Sequence, residues 1–516
     1  MAHRIGVREA GGKGQLFEVA TGLPFVARGV NLLRKGFVDG RIYDTLFGSN
    51  YDPAWVDAQF EHLSGLGYNT VRVLLDLCKD DCIAQPGGGL RASYLDHVAD
   101  FLGRARSHGI VVLAASVDLP DTAEYGYAVP PSAEFGVYRN STYLTAAGHA
   151  AAEHYWRDIV GGLVERGAST DAVLAWELVQ EQFTFLDSPP LSLRSGEVAT
   201  ADGRSWDMSK ERQRHEMVES NIVTFADRLR GTIRELDPTA LVTMGFFAPN
   251  EPIEWRPDDN RLVLTRAVLE RSSLDLGDLH AYPGGTLSVD DHIIQYGVTD
   301  AVNMPLVIGE MGAFRAIYPT PADGASGLVE WQIDACSSFQ GWLLWLEADT
   351  DDEVRAGAEG GGVIDQALSP EARPDPCSTG GLVALNLAKG ADVRASQSIP
   401  QNPSSLAVDG VRGTNWIAGG GPPQWIEIDL GGAQAVSKIE LVVSQSPSGP
   451  TRHRVSVGAT RGTMQPVAVL QGSTLDGDVL KVELASEDGG AVRFVRIDTT
   501  DSPSWVAWYE VRVFGP

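Results

Sequence analysis

The chain has 516 residues, too many for one ordinary hydrophobic core, so two domains, one of them large, are expected. Its formal net charge of -27 argues against nucleic acid and anionic membrane surfaces as partners. No apolar stretch is long enough to span a bilayer. A neutral partner such as a carbohydrate is compatible with this charge.

The first two thirds of the chain alternate between buried strands and amphipathic helices. A small hairpin around Phe17 leads into a first buried strand at 24–31, and Asp52-Pro53 begins a helix because Asp is a good cap and Pro suits the first helical position. Further strands are predicted at 70–75, 110–114, 173–179, 241–245, 274–280, 306–310 and 342–346, and helices at 94–107, 146–166, 210–236 and 327–339. Eight buried strands separated mostly by helices predict an α/β fold, the (β/α)8 TIM barrel.

The character of the sequence changes near residue 382. Residues 357–381 are rich in Gly and Pro, and they are either a linker or an irregular segment that closes the barrel. Short alternating strands with Gly, Pro and Ser turns follow, which predict an all-β sandwich of the jelly-roll kind. The expected organisation is a barrel over residues 1–356, the segment 357–381, and a sandwich over 382–516.

Two of the predicted strands end in a glutamate. The apolar run 173–179 is followed by Gln180 and Glu181, and the run 305–309 is followed by Glu310. Active sites are built at the carboxyl ends of barrel strands, so these two acids are expected to meet. A retaining glycosidase needs such a pair, one neutral to protonate the leaving oxygen and one ionised to attack the anomeric carbon.

These strands resemble those of the glycoside hydrolase family 5 barrels, the cellulase-like retaining enzymes of clan A. The resemblance spans about 17–349 and depends on separated motifs: Arg28-Gly-Val-Asn31, Gly67-Tyr-Asn-Thr-Val-Arg72, Trp176-Glu-Leu-Val-Gln-Glu181, Asp278-Leu-His-Ala-Tyr282, residues 305–312, and Trp345. It implies that Glu181 is the acid/base and Glu310 the nucleophile, with no cofactor in catalysis. It also implies the residues that bind substrate or orient the nucleophile: Arg72, Gln180, His280, Tyr282, Trp345 and Asn31.

The charges expected around the two glutamates agree with those roles. Arg72 and Tyr282 are expected beside Glu310, where they favour its anion. Glu181 is expected farther from cations, where it holds its proton.

The chain departs from the family pattern at two places. The family has Asn before the acid/base, where it hydrogen-bonds the 2-hydroxyl of the sugar, whereas this chain has Gln180, whose longer side chain shifts that contact by about a bond length. The third strand often ends near a histidine, and here it is followed by Asp118, which either contacts a hydroxyl or caps the next turn. Glu177 is interpreted as a buried partner of an arginine, and Glu347 and Asp349 as solvated loop charges.

The C-terminal part, about 384–515, resembles the discoidin-like (coagulation factor 5/8 type C) domains, which include the family 32 carbohydrate-binding modules. The motifs are Ala407-Val-Asp-Gly410, Thr414-Asn-Trp416, residues 424–431, and residues 509–515. In such domains, residues like Asp409, the carbonyl of Thr414 and Glu510 hold a structural calcium ion, which prefers hard oxygen ligands. Trp416 and Trp425 are predicted to be core residues. Sugar binding is expected in rim loops. Neither Arg452 nor His453 is assigned a role in it.

The cysteines and the N-terminus give information about the cellular compartment of the protein. Cys78 and Cys82 flank a short loop, and a bridge between them and ordinary reduced thiols fit the sequence equally well. Residues 1–20 contain no apolar signal core, so either the protein stays inside the cell or a leader has been removed. A glycan-binding domain favours an extracellular location.

The sequence predicts a metal-independent retaining glycoside hydrolase that cleaves O-glycosidic, β-linked bonds of a glycan or glycoconjugate, with a glycan-binding sandwich appended. The alternative, suggested by Gln180, is a carbohydrate-binding barrel without catalysis. A third hypothesis is that the sandwich targets protein or lipid. The loop insertions at 82–90, 119–138 and 183–207 fit either an exo-acting pocket or an endo-acting cleft, so neither the sugar nor the mode of attack is predicted.

Overall fold

The computed structural model describes most of the chain. The described residues are 4–33, 36–38, 41–43, 45–46, 50–76, 83–85, 88–117, 125, 135, 138–248, 260–282, 296–298, 303–336, 338–345, 353–377, 386–410, 414–484 and 491–515. The chain divides into two compact units, the first ending at Cys377 and the second formed largely by Ser378–Pro516. No helix among the described residues is both long and apolar enough to cross a membrane.

The first unit contains a nearly closed barrel of parallel strands, consistent with a TIM-like fold, and short two-stranded antiparallel sheets outside the barrel. Its strands are β1 (Ile5–Ala10), β2 (Lys13–Glu18), β3 (Ala27–Asn31), β4 (Gly36–Val38), β5 (Arg41–Tyr43), β6 (Thr70–Leu74), β7 (Val111–Ala115), β8 (Val173–Glu177), β9 (Thr184–Phe185), β10 (Glu197–Ala199), β11 (Ser205–Asp207), β12 (Val242–Thr243), β13 (Gly245–Phe247), β14 (Arg261–Leu262), β15 (Gly277–His280), β16 (Leu306–Met311) and β17 (Gly341–Leu344). The barrel order is β12-β8-β7-β6-β3-β17-β16-β15-β13. The first strand of this order, β12, and the last, β13, are separated in the chain only by Met244. The two edges of the sheet therefore meet at residues 242–247, which nearly closes the barrel.

Helices alternate with the barrel strands, as the sequence predicts. They are Pro53–Gly65, Ala92–Ser107, Tyr138–Leu144, Ala146–Glu165, Glu211–Leu236, Thr265–Arg271, Pro321–Ala335 and Glu359–Leu368. Asp52 caps the first of them by accepting hydrogen bonds from the backbone N–H groups of Ala54 and Trp55. Thr320 and Asp323 form a capping box at the start of Pro321–Ala335.

The segment that follows the last barrel strand lies in the first unit up to Cys377. It contains the helix Glu359–Leu368, and the carbonyl of Leu368 accepts a hydrogen bond from the buried Arg28 at 2.5 Å. A disulfide joins Cys336 to Cys377 with a Cα–Cα distance of 5.5 Å. The sequence analysis did not pair these two cysteines, and Cys78 and Cys82 lie outside the described residues.

The barrel is apolar at one end and polar at the other. Leu113, Leu174, Leu276 and Val307 belong to a buried cluster near the amino ends of the strands. Four buried polar side chains lie at or near the carboxyl ends of barrel strands, namely Asn31, Glu177, His280 and Glu310. The strand pattern therefore places an apolar floor beneath a group of ionisable residues.

The second unit is an all-β sandwich of antiparallel strands. They are β18 (Asp392–Ala395), β19 (Trp416–Ile417), β20 (Gln424–Gln434), β21 (Lys438–Val443), β22 (Gly449–Gly458), β23 (Gln465–Thr474), β24 (Val479–Glu483), β25 (Val492–Asp501) and β26 (Ala507–Phe514). One sheet has the order β18-β20-β25-β22-β23 and the other β19-β26-β21-β24. Trp416 is a core residue as predicted. Trp425 is only half-buried, with the guanidinium of Arg496 4.1 Å from its ring centroid, and His453 is buried.

Candidate active site

The structure brings the two predicted catalytic acids together. Glu310 lies within β16, and Glu181 follows the end of β8. One carboxylate oxygen of each lies within 4.8 Å of the other and of a ring nitrogen of His280. The Glu181 side chain is 27% exposed and the Glu310 side chain 4%. Glu181 is thus the acid that reaches solvent, and Glu310 is the buried one.

Both carboxylate oxygens of Glu310 have donors. Arg72 Nη1 donates to Oε1 at 2.6 Å, and the hydroxyl of Tyr282 donates to Oε2 at 2.8 Å. Gln180 Nε2 lies 3.5 Å from Oε1, at the outer limit of a hydrogen bond. Burial, and then the charge of Glu310, raise the pKa of Tyr282 well above its usual value, so its hydroxyl keeps the proton that it donates.

Arg72 is held on its other side by Glu177 and Asn31. Its Nε and Nη2 donate to the two oxygens of Glu177 at 2.7 and 2.8 Å, which is the bidentate geometry that fixes a guanidinium plane. Its Nη1 also donates to Asn31 Oδ1 at 2.8 Å, and Asn31 Nδ2 donates to the carbonyl of Gly309 at 2.8 Å. Glu177 is therefore the arginine partner that the sequence predicts.

His280 lies between the two predicted catalytic acids. Its Nδ1 is 3.2 Å from Glu181 Oε1 and 3.4 Å from Glu310 Oε1. Burial lowers the pKa of His280, but the charge of Glu310 and the hydrogen bond with Glu181 outweigh it and raise that pKa to about 9. Glu181 was expected to lie farther from cations than Glu310, and it does lack the contact with Arg72, but the imidazole of His280 is as close to it as to Glu310. A register shift between β15 and β16 pairs His280 with Glu310 and skips Gly309, which brings the imidazole to both acids.

The other predicted site residues differ in how far the structure describes them. Trp345 follows β17 and packs, half-buried, beside Leu33, Leu74 and Ala115. Gln180 Oε1 is buried and has no hydrogen-bond partner among the described residues. Asp118, Glu347 and Asp349 lie outside the described part of the chain.

Two further residues at this end of the barrel were not singled out by the sequence analysis. Asp278, at the start of the sixth-strand motif, is fully buried beside Glu177. Arg139 donates from Nη1 to the backbone carbonyl of Glu181 at 2.9 Å, and its guanidinium is 4.3 Å from the ring centroid of Phe183. Apolar and polar residues alternate in β15, and this pattern would have indicated Asp278. No local pattern indicated Arg139.

The predicted calcium ligands of the second unit lie near one another. Asp409 Oδ2 accepts a hydrogen bond from Thr414 Oγ1 at 2.7 Å, and Glu510 Oε1 accepts one from the backbone N–H of Gly410 at 2.8 Å. Glu510 is 2% exposed, and its Oε2 has no partner among the described residues. Burial, and then Asp409, raise the pKa of Glu510 well above its usual value. Two adjacent acids with an unsatisfied oxygen fit a hard cation.

A cleft of about 650 Å³ opens at one rim of the sandwich. Trp505 lines it and is 57% exposed. Tyr509 and Asp476 also line it, and the Tyr509 hydroxyl donates to Asp476 Oδ2 at 3.2 Å. An exposed aromatic face beside hydrogen-bonding groups is an arrangement that suits a ligand with both apolar and hydroxyl-bearing surfaces.

Comparisons with known proteins bear on the second unit. The family model for the F5/8 type C domain matches residues 392–511. These residues form an F5/8 type C domain. Similar solved structures include a family 32 carbohydrate-binding module from C. perfringens NanJ in complex with galactose, at 22% identity over 25% of this chain and 97% of that one, with a TM-score of 0.22.

Another is a chitosan-binding module from a chitosanase/glucanase of Paenibacillus sp. IK-5, at 26% identity over 25% of this chain and 99% of that one, with a TM-score of 0.22. A search of curated proteins found no match. The predicted discoidin-like domain is therefore confirmed by the family model.

Proposed function

We propose that the chain is a retaining glycoside hydrolase of the family 5 kind, with its active site at the carboxyl ends of a TIM barrel. The observation that carries the proposal is the separation of less than 4.8 Å between carboxylate oxygens of Glu181 and Glu310. Retaining glycosidases have carboxyl groups about 5–5.5 Å apart, whereas inverting ones leave about 6.5–9.5 Å for a water molecule. The distance between whole carboxyl groups exceeds that between their nearest oxygens, and an oxygen–oxygen approach within 4.8 Å fits the retaining separation, which supports direct attack by Glu310.

In the first step, a Glu310 oxygen attacks the anomeric carbon while the bond from that carbon to the glycosidic oxygen breaks. The electron pair of that bond goes to the leaving oxygen, which takes the proton of Glu181 and departs as an alcohol. Arg72 and Tyr282 hold the Glu310 carboxylate in one orientation, so little reorganisation is needed before attack. The product of this step is a glycosyl ester of Glu310.

In the second step, Glu181 removes a proton from water, and the water oxygen attacks the anomeric carbon and displaces Glu310. Two inversions leave the configuration of the sugar retained. The negative charge thus moves from Glu310 in the resting enzyme to Glu181 in the intermediate. His280, within 3.4 Å of both acids, compensates the charge in either state.

A second candidate is a carbohydrate-binding barrel without catalysis. The observation that favours it is Gln180, whose Oε1 is buried without a partner among the described residues. If the longer amide displaces the sugar from Glu310, binding remains and attack fails.

For the F5/8 type C domain we propose glycan binding in the cleft lined by Trp505. The exposed indole face supports this role, because such faces stack on the apolar faces of sugar rings. Asp409, Thr414 and Glu510 would hold a calcium ion whose part is structural. Adding calcium to a chelated sample should then raise the melting temperature, and Glu510→Gln should abolish that increase.

The decisive experiment is a panel of nitrophenyl glycosides, furanosides included, with the first-formed anomer followed by NMR. Turnover with a retained first product supports the hydrolase, and an inverted first product contradicts it. Sugar binding without turnover on any member supports the binding protein instead. A glycan array tests the F5/8 type C domain. If the domain binds protein or lipid but no glycan of the array, the proposal for this domain is contradicted.

A further inference from the structure

Asp278 is an acid of the buried network for which the proposed mechanism has no use. It is fully buried, and neither carboxylate oxygen accepts a hydrogen bond from a described residue. The nearest guanidinium atom, Arg72 Nε, is 3.9 Å from Asp278 Oδ2, beyond hydrogen-bond distance. Arg72 directs its hydrogen bonds instead to Glu177, Asn31 and Glu310.

An ionised carboxylate in this position would be unstable. A buried charge without donors costs many times the free energy of an ordinary hydrogen bond, so such a group binds a proton instead. Glu177 provides an acceptor, because its carboxylate lies next to that of Asp278, with one oxygen of each within 4.8 Å, and a side-chain hydrogen bond between the two acids contributes to the raised pKa of Asp278. Burial, and then the charge of Glu177, raise the pKa of Asp278 well above its usual value, although His280 and Arg72 oppose the shift.

The neighbouring backbone leaves room for this acid. A Cβ on Gly309 would lie 2.0 Å from Asp278 Oδ1, and a Cβ on Gly245 would lie 2.7 Å from Glu177 Oε1. Glycines on the two flanking strands therefore make the space that the two acids occupy. This space exists only because the chain has no side chain at either position.

The charges of the network also balance when Asp278 is neutral. Arg72 and His280 carry two positive charges, and Glu177 and Glu310 carry two negative ones. In the proposed mechanism Glu181 starts with a proton and adds no charge to this count. An ionised Asp278 would add a third negative charge to a region from which water is excluded.

We propose that Asp278 is a neutral carboxylic acid that donates a hydrogen bond to Glu177, and that it is a positioning residue. It fixes the carboxylate that holds Arg72, and Arg72 in turn orients Glu310. The effect on turnover rests on the proposed hydrolase function, whereas the protonation of Asp278 does not.

The first test compares three substitutions by their kcat/KM on an aryl glycoside. Asp278→Asn keeps a neutral donor of the same shape, so it should lose no more than about threefold, whereas Asp278→Leu should lose about a hundredfold or more because Glu177 loses its donor. Glu177→Gln should lose at least as much as Asp278→Leu. A loss in Asp278→Asn as large as in Asp278→Leu, or a shift of the pH profile in Asp278→Asn, would overturn the proposal.

The second test needs no activity and measures the melting temperature from pH 5 to pH 8. Asp278 is ionised in the unfolded chain above about pH 4 but keeps its proton in the folded protein, so the native state binds one more proton and its stability falls as pH rises. Asn has no proton to lose. The melting temperature of Asp278→Asn should therefore exceed that of the wild type by a margin that grows with pH.

Arg72, Glu177 and His280, which lie next to Asp278 on β6, β8 and β15, are the same in both proteins, so the difference between the two melting curves reports mainly Asp278. Asp187→Asn, on the exposed surface of the same unit, is the matched control and should give a margin that does not change with pH. A margin for Asp278→Asn that is constant, or that shrinks with rising pH, would overturn the proposal. This result stands whether or not the chain hydrolyses a glycoside.

Discussion

The candidate site of the barrel and the rim cleft proposed for the F5/8 type C domain differ in the charge that they carry. In the barrel, Arg72, Glu177 and Glu310 are almost fully buried and bonded to one another. In the sandwich, Arg454 pairs with Asp498 at 3.1 Å, but its side chain is 55% exposed. The residue that we propose for ligand binding there is an exposed, uncharged tryptophan.

The difference matches what each site has to do. In the proposed mechanism negative charge moves between two acids, and buried, preoriented partners stabilise it most strongly because water does not screen them. A binding cleft has no charge to stabilise, and it needs a surface that stays accessible. Each prediction below tests one side of this contrast.

The largest effect is expected from Glu310→Ala. Without the nucleophile no glycosyl ester forms, so turnover should fall at least about a thousandfold. Added azide should not restore a product of retained configuration, because no carboxylate remains to form the intermediate. Wild-type activity in this variant, measured on any glycoside of the panel, would show that the nucleophile is another residue.

Glu181→Ala should show a loss that depends on the leaving group. A poor leaving group needs the proton of Glu181, so natural glycosides should react slower by several orders of magnitude. Activated aryl glycosides such as dinitrophenyl derivatives should keep much of their kcat/KM, and azide should accelerate their turnover by giving a glycosyl azide of retained configuration. Equal losses on good and poor leaving groups, with no effect of azide, would place the acid elsewhere, with Glu177 or Asp118 tested next.

A matched pair of substitutions tests the contrast in stability. Arg72→Met leaves Glu177 buried without its partner and should lower the free energy of unfolding by about 3–5 kcal/mol. Arg454→Met removes an exposed ion pair and should change it by less than about 1 kcal/mol. Denaturant unfolding of both variants measures the two values. If the two substitutions lower the free energy of unfolding by similar amounts, burial does not explain a difference between the two ion pairs.

The parts of this arrangement that the sequence predicted follow from local patterns. Apolar runs that end in acids predicted β8, β16 and the meeting of Glu181 with Glu310, because burial on both faces of a strand is visible in one stretch of chain. Glu177 was identified as an arginine partner because it shares strand parity with Glu181.

What the sequence did not predict depends on how distant segments register. The shift between β15 and β16 that pairs His280 with Glu310 has no local signature, so the cation beside Glu181 was missed. The bond between Cys336 and Cys377 joins positions 41 residues apart, and its geometry exists only in the folded barrel unit.

The smallest effect on turnover, and a large one on binding, is expected from Trp505→Ala. Its indole face is the main exposed apolar surface of the rim cleft, so the dissociation constant for an immobilised glycan should rise about tenfold. Its kcat/KM on a small soluble aryl glycoside should stay unchanged, since catalysis is proposed to lie in the barrel unit alone. Trp425→Ala, at a half-buried tryptophan of the same domain, is the matched control and should leave glycan affinity unaltered.

Truncation after Cys377 should reproduce the binding loss while leaving an active barrel, because the first unit and its disulfide end there. If Trp505→Ala lowers turnover of the small substrate as much as glycan affinity, the two functions are not divided between the units, and the contrast between them fails.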